Sequence, residues 1–195
     1  MEKFWTIPNI LSISRIVLII PILNQLKVDT PSSNFIAFWL ILVAYLTDFF
    51  DGLIARKFNM ISNLGKILDP IGDKLLAITI STVLYINKKA PFYFFVLILS
   101  RDLIISLGAM YAINVKGKIL LPIFAGKLTT AVLGIVLSLY PLFYSGVIKE
   151  EGFIKLLDFL IHYGTILSSI LLLTSGLMYA VYYFKNFLIT RKMEK

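Results

Sequence analysis

Four aspartates stand in otherwise apolar sequence, Asp48 and Asp51 in "LTDFFDGLIARK" and Asp69 and Asp73 in "GKILDPIGDKLL". Residues three or four apart on a helix share a face, with Cβ atoms about 5–6 Å apart, so the spacing makes two pairs. If the two helices that carry them lie antiparallel across the short loop at 57–66, the pairs face each other. An aspartate at the centre of a membrane helix costs roughly 2.5–3.5 kcal/mol, and four without compensation would cost about 10 kcal/mol. Carboxylates so crowded repel one another unless a cation sits among them. Hard oxygen donors without His or Cys nearby suit Mg²⁺, Mn²⁺ or Ca²⁺ better than zinc. Two divalent ions about 4 Å apart would neutralise all four and form the clamp used in phosphoryl-group displacement. Phosphate chemistry at a membrane surface is the expectation.

The residues between the pairs extend this reading. Gly52 and Ala55 lie on the aspartate-bearing part of the second apolar span, and Gly65 lies four residues before Asp69. Such small residues promote close helix packing, or let a flat ligand lie against backbone. Arg56 is either a rim arginine or a fixed charge able to hold a phosphate in bidentate fashion. Three further cations lie deep in apolar sequence, with each residue advancing about 1.5 Å: Arg15 and Lys127 about eight residues into their spans, Arg101 about twelve. Lys127 can snorkel, and Asp102 can bridge Arg101 as a structural pair. The functional alternative is a basic layer that receives anionic substrate groups beneath the carboxylates.

The elements that must position these groups are helices in a bilayer. The chain has 195 residues, of which 58% are hydrophobic and 15% charged, against roughly a quarter charged in soluble domains. Apolar runs near 7–26, 34–55, 67–86, 91–113, 119–145 and 157–184 predict an all-α, polytopic integral membrane protein with about six transmembrane helices. No sustained apolar/polar alternation supports a β-barrel. Short connections and the absence of repeats predict one domain over residues 1–195. Residues 23–27 offer no small-residue cleavage pattern, so the first run is expected to be a retained helix. There is no cysteine, which excludes thiolate chemistry.

Basic residues concentrate at the two termini and at the loops near 56–66 and 114–118, which with six spans share one side. The positive-inside rule puts both termini, and with them the aspartates, at the cytoplasmic face. The net charge of +8 then reflects a basic rim beside anionic lipid headgroups, and no nucleic-acid partner is expected. Trp5, Tyr182 and Tyr183 are expected in an interfacial aromatic belt, and Pro70 in the first turn of the third helix. His162 is expected to be a packing or interfacial residue.

From Asp48 to Asp73 the chain reads D-x-x-D-G-x-x-A-R-x8-G-x-x-x-D-x-x-x-D. This resembles the signature of the CDP-alcohol phosphatidyltransferase family at all eight fixed positions, Asp48, Asp51, Gly52, Ala55, Arg56, Gly65, Asp69 and Asp73. "IPNILSISR" at 7–15 resembles the family's first-helix opening, and "SRDLIIS" at 100–106 with "GKLTT" at 126–130 its acceptor-side elements. The resemblance implies a six-helix, homodimeric enzyme of the bacterial-type cytoplasmic membrane that transfers a phosphatidyl group from CDP-diacylglycerol to an alcohol and releases CMP. It implies that Asp48, Asp51, Asp69 and Asp73 hold two Mg²⁺ or Mn²⁺ ions, that Asp73 is also the general base, and that Gly52, Ala55, Arg56, Gly65 and Asn9 form the nucleotide site.

Within the family, "SRDLIIS" and "DPIGDKLL" are most similar to phosphatidylglycerophosphate synthases, which implies glycerol 3-phosphate as acceptor, its phosphate met by Arg101, Lys127 and Arg15. Those enzymes commonly carry Glu, Arg and Lys where this chain has Asp102, Ala109 and Thr129. The lost positive charge suits a less charged acceptor, and the Arg101–Asp102 pair is also similar to cardiolipin synthases, which use phosphatidylglycerol. Intramembrane acids and bases also occur in ion or solute transporters. Here, however, the four acids cluster in one segment, 48–73, rather than in matching halves.

Overall fold

The computed structural model describes the backbone of residues 7–57, 65–116 and 124–193, and the side chains of 13–47, 72, 74–110 and 124–184. Among the described residues there are six helices and no strand: α1 (Ile7–Val28), α2 (Pro31–Lys57), α3 (Gly65–Ile86), α4 (Phe92–Lys116), α5 (Phe124–Tyr144) and α6 (Glu151–Met193). Each of the six expected apolar runs is a helix. Three described segments are long and apolar enough to cross a bilayer, Phe92–Met110, Phe124–Tyr144 and Glu151–Phe184. Pro31–Thr47 and Lys74–Ile86 are shorter apolar segments. The chain is an all-α integral membrane protein. Large side chains such as Leu107, Met110, Leu173 and Leu177 stand exposed on α4 and α6, as a lipid solvent permits and water does not.

Local chemistry explains the boundaries. Thr30 and Ser33 cap α2 reciprocally, the Ser33 amide donating to Thr30 Oγ1 at 3.2 Å and the Thr30 amide to Ser33 Oγ at 2.8 Å. Pro31 follows at the first helical position, where its missing N–H has no cost. Asp29 takes φ 55° in the tight turn before it, a conformation that Asp tolerates better than most residues. The third helix begins at Gly65, so Pro70 lies beyond the first turn where it was expected, and α3 forgoes one backbone hydrogen bond there.

Helix α1 packs on both α2 and α3, α5 also touches both, α3 meets α4, and α6 covers α4 and α5. The two aspartate-bearing helices are thus joined by shared neighbours, α1 and α5, in addition to their short loop. Their shared core is fully buried: Ile22 and Leu26 of α1, Ile41 of α2, Leu76 and Ile80 of α3, and Leu137 of α5. Glycine permits the closest helix approaches. A Cβ on Gly134 would lie 3.0 Å from the Tyr45 ring, joining α5 to α2. Tyr183 lies on Gly108 and donates to the Ile105 carbonyl at 3.5 Å, which joins α6 to α4. Only tertiary contact could place a bulky ring over that glycine.

Candidate active site

The aspartates lie where two helices end and begin. Asp48 and Asp51, with Gly52, Ala55 and Arg56, occupy the last turns of α2, and Gly65, Asp69 and Asp73 the first turns of α3. Asn9 is in the first turn of α1. The side chains of Asn9, Asp48, Asp51, Ala55, Arg56, Asp69 and Asp73, and the surroundings of Gly52 and Gly65, lie outside the described residues. Among the described residues no cluster of three metal-ligating side chains occurs. The donor set still suits the hard divalent ions expected of it: α2 and α3 bring only carboxylates among charged oxygen donors, with no His or Cys in either helix.

The cations around this end are described. Arg15 is completely buried on α1. It lies against the third helix between two of the aspartates: a Cβ on Gly72 would be 3.8 Å from Arg15 Cδ and 4.0 Å from Nη1. Arg15 therefore lies against α3 at Gly72, the residue before Asp73 in sequence.

On α4, Arg101 is 6% exposed and Asp102 5% exposed. Arg101 Nη1 donates to Asp102 Oδ1 at 2.8 Å, forming the expected pair. Arg101 Nη2 donates to the Gly126 carbonyl of α5 at 3.2 Å, while its buried Nε has no hydrogen-bond partner among the described residues. Gly176 of α6 makes room for this side chain, since a Cβ there would stand 3.7 Å from Arg101 Cγ. Lys127 follows Gly126 directly, and its own side chain is exposed on α5. Thus the Arg101 head group and the backbone turn bearing Lys127 come together, whereas Lys127 stays outside the buried network. Thr129, in place of a second lysine, is buried and donates to the Ala125 carbonyl at 2.7 Å.

Lys74 was not singled out from the sequence. It is half-buried on α3, and its Nζ donates to Ser106 Oγ on α4 at 2.8 Å. Ser106 Oγ donates in turn to the Asp102 carbonyl at 2.7 Å. A lysine directly after a motif aspartate carries no signal of its own; the partner 32 residues away supplies it. Arg15, Lys74 and Arg101 thus form a basic layer against the start of α3 and the middle of α4.

At the opposite end of α3 is a cavity of about 270 Å³, lined by Lys89, Tyr93, Tyr140, Tyr144, Asp158 and His162 among others. His162 is exposed there and makes an edge contact with Tyr163 at 5.1 Å between ring centroids, as expected of a packing or interfacial residue.

Known proteins place this arrangement. A CDP-diacylglycerol–glycerol-3-phosphate 3-phosphatidyltransferase of Aquifex aeolicus is 33% identical over 184 residues, covering 92% of this chain and 96% of its own. One of the same name from Rickettsia bellii is 38% identical over 100 residues, 51% of this chain and 55% of its own, so the chain spans about half the length of that relative. Human cardiolipin synthase (CMP-forming) is 38% identical over 111 residues, 56% of this chain and 36% of its own. The sequence pattern of the CDP-alcohol phosphatidyltransferases matches residues 5–182. With that pattern running from before the first helix to the last, the chain belongs to the CDP-alcohol phosphatidyltransferase family.

Proposed function

We propose that this protein transfers the phosphatidyl group of CDP-diacylglycerol to glycerol 3-phosphate, forming phosphatidylglycerophosphate and CMP. The observation that carries the reading is the buried Arg15 beside Gly72, which sets a fixed cation between the positions of Asp69 and Asp73. With Arg101 it gives a doubly charged phosphate acceptor a counter-charge within the membrane.

In this reading Asp48, Asp51, Asp69 and Asp73 hold two Mg²⁺ or Mn²⁺ ions, which supply Lewis-acid stabilisation of the diphosphate charge. Gly52, Ala55, Arg56, Gly65 and Asn9 receive the nucleotide. Asp73 accepts the proton of the acceptor hydroxyl at a carboxylate oxygen. The hydroxyl oxygen bonds to the lipid-bearing phosphorus, the bond from that phosphorus to the CMP oxygen breaks, and CMP leaves with the electron pair. No enzyme nucleophile is needed: the chain has no cysteine, and its single histidine lies at the far end. Chirally labelled substrate should therefore show inversion at phosphorus; retention would indicate a covalent intermediate.

One observation favours a second acceptor. Arg101 is already engaged by Asp102 and the Gly126 carbonyl, which leaves less charge for a phosphate monoester. Phosphatidylglycerol, as used in cardiolipin synthesis, demands less. CMP release in detergent with each acceptor in turn decides between them. The basic-residue distribution supports a cytoplasmic location for both termini and the active site, in a bacterial-type membrane. The assembly in this proposal is a homodimer of single-domain chains, residues 1–195, working among membrane lipids.

A further inference from the structure

We propose that Lys74 is a positioning residue which, through Ser106, sets the distance between the Asp73 turn and the acceptor-binding side of the bundle. The inference rests on the proposed phosphatidyl transfer and deepens it.

Lys74 directly follows Asp73, yet successive side chains leave a helix about 100° apart, so neighbours in sequence serve different faces. Lys74 serves the face toward α4, where Nζ meets Ser106 Oγ at 2.8 Å. The hydroxyl uses its own proton on the Asp102 carbonyl at 2.7 Å. The Asp102 carboxylate holds Arg101 at 2.8 Å, and Arg101 holds the Gly126 carbonyl, one residue before Lys127, at 3.2 Å. A polar chain therefore runs from the residue beside the proposed general base to Arg101 and the backbone next to Lys127.

Its members are buried or half-buried, where hydrogen bonds are strong and an orphaned partner is costly. Helices α3 and α4 pack directly, while α4 and α5 meet chiefly through α6. The polar chain thus bridges helices that apolar packing joins less directly. Lys74 is kept away from substrate by its bond to Ser106; its effect on the reaction passes through Arg101.

Steady-state kinetics of CMP release, varying each substrate, tests this with Lys74→Met, Ser106→Ala and their double variant. Lys74→Met should raise the acceptor KM roughly tenfold, since small misplacements of a positioned group have effects of that order, and should leave the CDP-diacylglycerol KM unchanged. Ser106→Ala should shift the same parameter in the same direction by several-fold. The double variant should be no worse than Lys74→Met, and its melting temperature in detergent should show the same non-additivity. Lys74→Arg, which keeps a donor within reach of Ser106, should recover most of the loss.

A silent Ser106→Ala, or additive effects of the two substitutions, would overturn the proposal and make Lys74 a direct ligand. An equal loss for both substrates would reduce it to general packing. If wild-type protein releases no CMP with either acceptor, the functional reading itself fails and the positioning role with it.

Discussion

The two ends of the bundle handle charge in opposite ways. At the far end Lys89 bonds Asp29 and lies 4.3 Å over the Tyr144 ring, and Asn34 donates to the same aspartate at 3.0 Å. Asn87 ties the end of α3 to the Leu26 carbonyl of α1 at 2.9 Å. There a cation meets an acid from the same chain, and the turn is closed. At the aspartate end the described residues bring three cations, Arg15, Lys74 and Arg101, into buried or half-buried positions with one acid, Asp102. The far end thus matches a single cation with a local acid, whereas the other end gathers these cations on α1, α3 and α4, where α2 and α3 also carry Asp48, Asp51, Asp69 and Asp73.

The comparison is broken most severely at the proposed base. Asp73→Asn should lower CMP release by at least roughly a hundredfold, the scale of general-base catalysis, without lowering the melting temperature. Chelating divalent ions should abolish release as fully, and added Mg²⁺ or Mn²⁺ should restore it; activity that survives chelation would remove the metals from the scheme.

Arg15→Lys tests the buried cation itself. A lysine keeps the charge but loses the planar fork, so acceptor kcat/KM should fall roughly tenfold while CDP-diacylglycerol KM holds. Gly126→Ala acts through packing: its Cβ would sit 2.7 Å from the Tyr179 hydroxyl and 3.0 Å from the ring. The clash should cost about 1–3 kcal/mol, read as a lower melting temperature, and Tyr179→Phe in the same chain should recover part of it.

The smallest effect belongs to the far end. Lys89→Met should cost no more than about 1 kcal/mol and leave both KM values alone. Burial raises the Asp29 carboxyl pKa, but the hydrogen bonds from Lys89 and Asn34 and the lysine charge outweigh it, and the net shift is downward. A depressed carboxyl stabilises the fold above its unfolded pKa, about 4, and that contribution is lost as pH falls through the lower folded value. The melting-temperature advantage of wild type over Asp29→Asn should therefore hold at neutral pH and vanish in acid.

The sequence by itself determined the helices, the membrane and the chemistry. Twenty-residue apolar runs leave a chain in lipid few options besides helices, because backbone groups must find partners within the segment. Acids too costly to keep without cations point, for the same reason, to the metal site proposed above. Asp48, Asp51, Asp69 and Asp73 stand out in the sequence because their signal is local spacing. Lys74 and Ser106 do not, since neither has an unusual neighbour in sequence and their bond spans 32 positions. The seat of Tyr183 was not legible either, since nothing local in the sequence signals that Gly108 of another helix lies beneath its ring. Arg101 and Asp102 were legible as a pair, but only the approach of α5 brought the Gly126 carbonyl to Arg101. Periodicity and cost act along the chain and can be read from it. Which helices meet, and so which charged groups share a polar network, depends on side-chain packing between distant segments, and only the tertiary structure decided that.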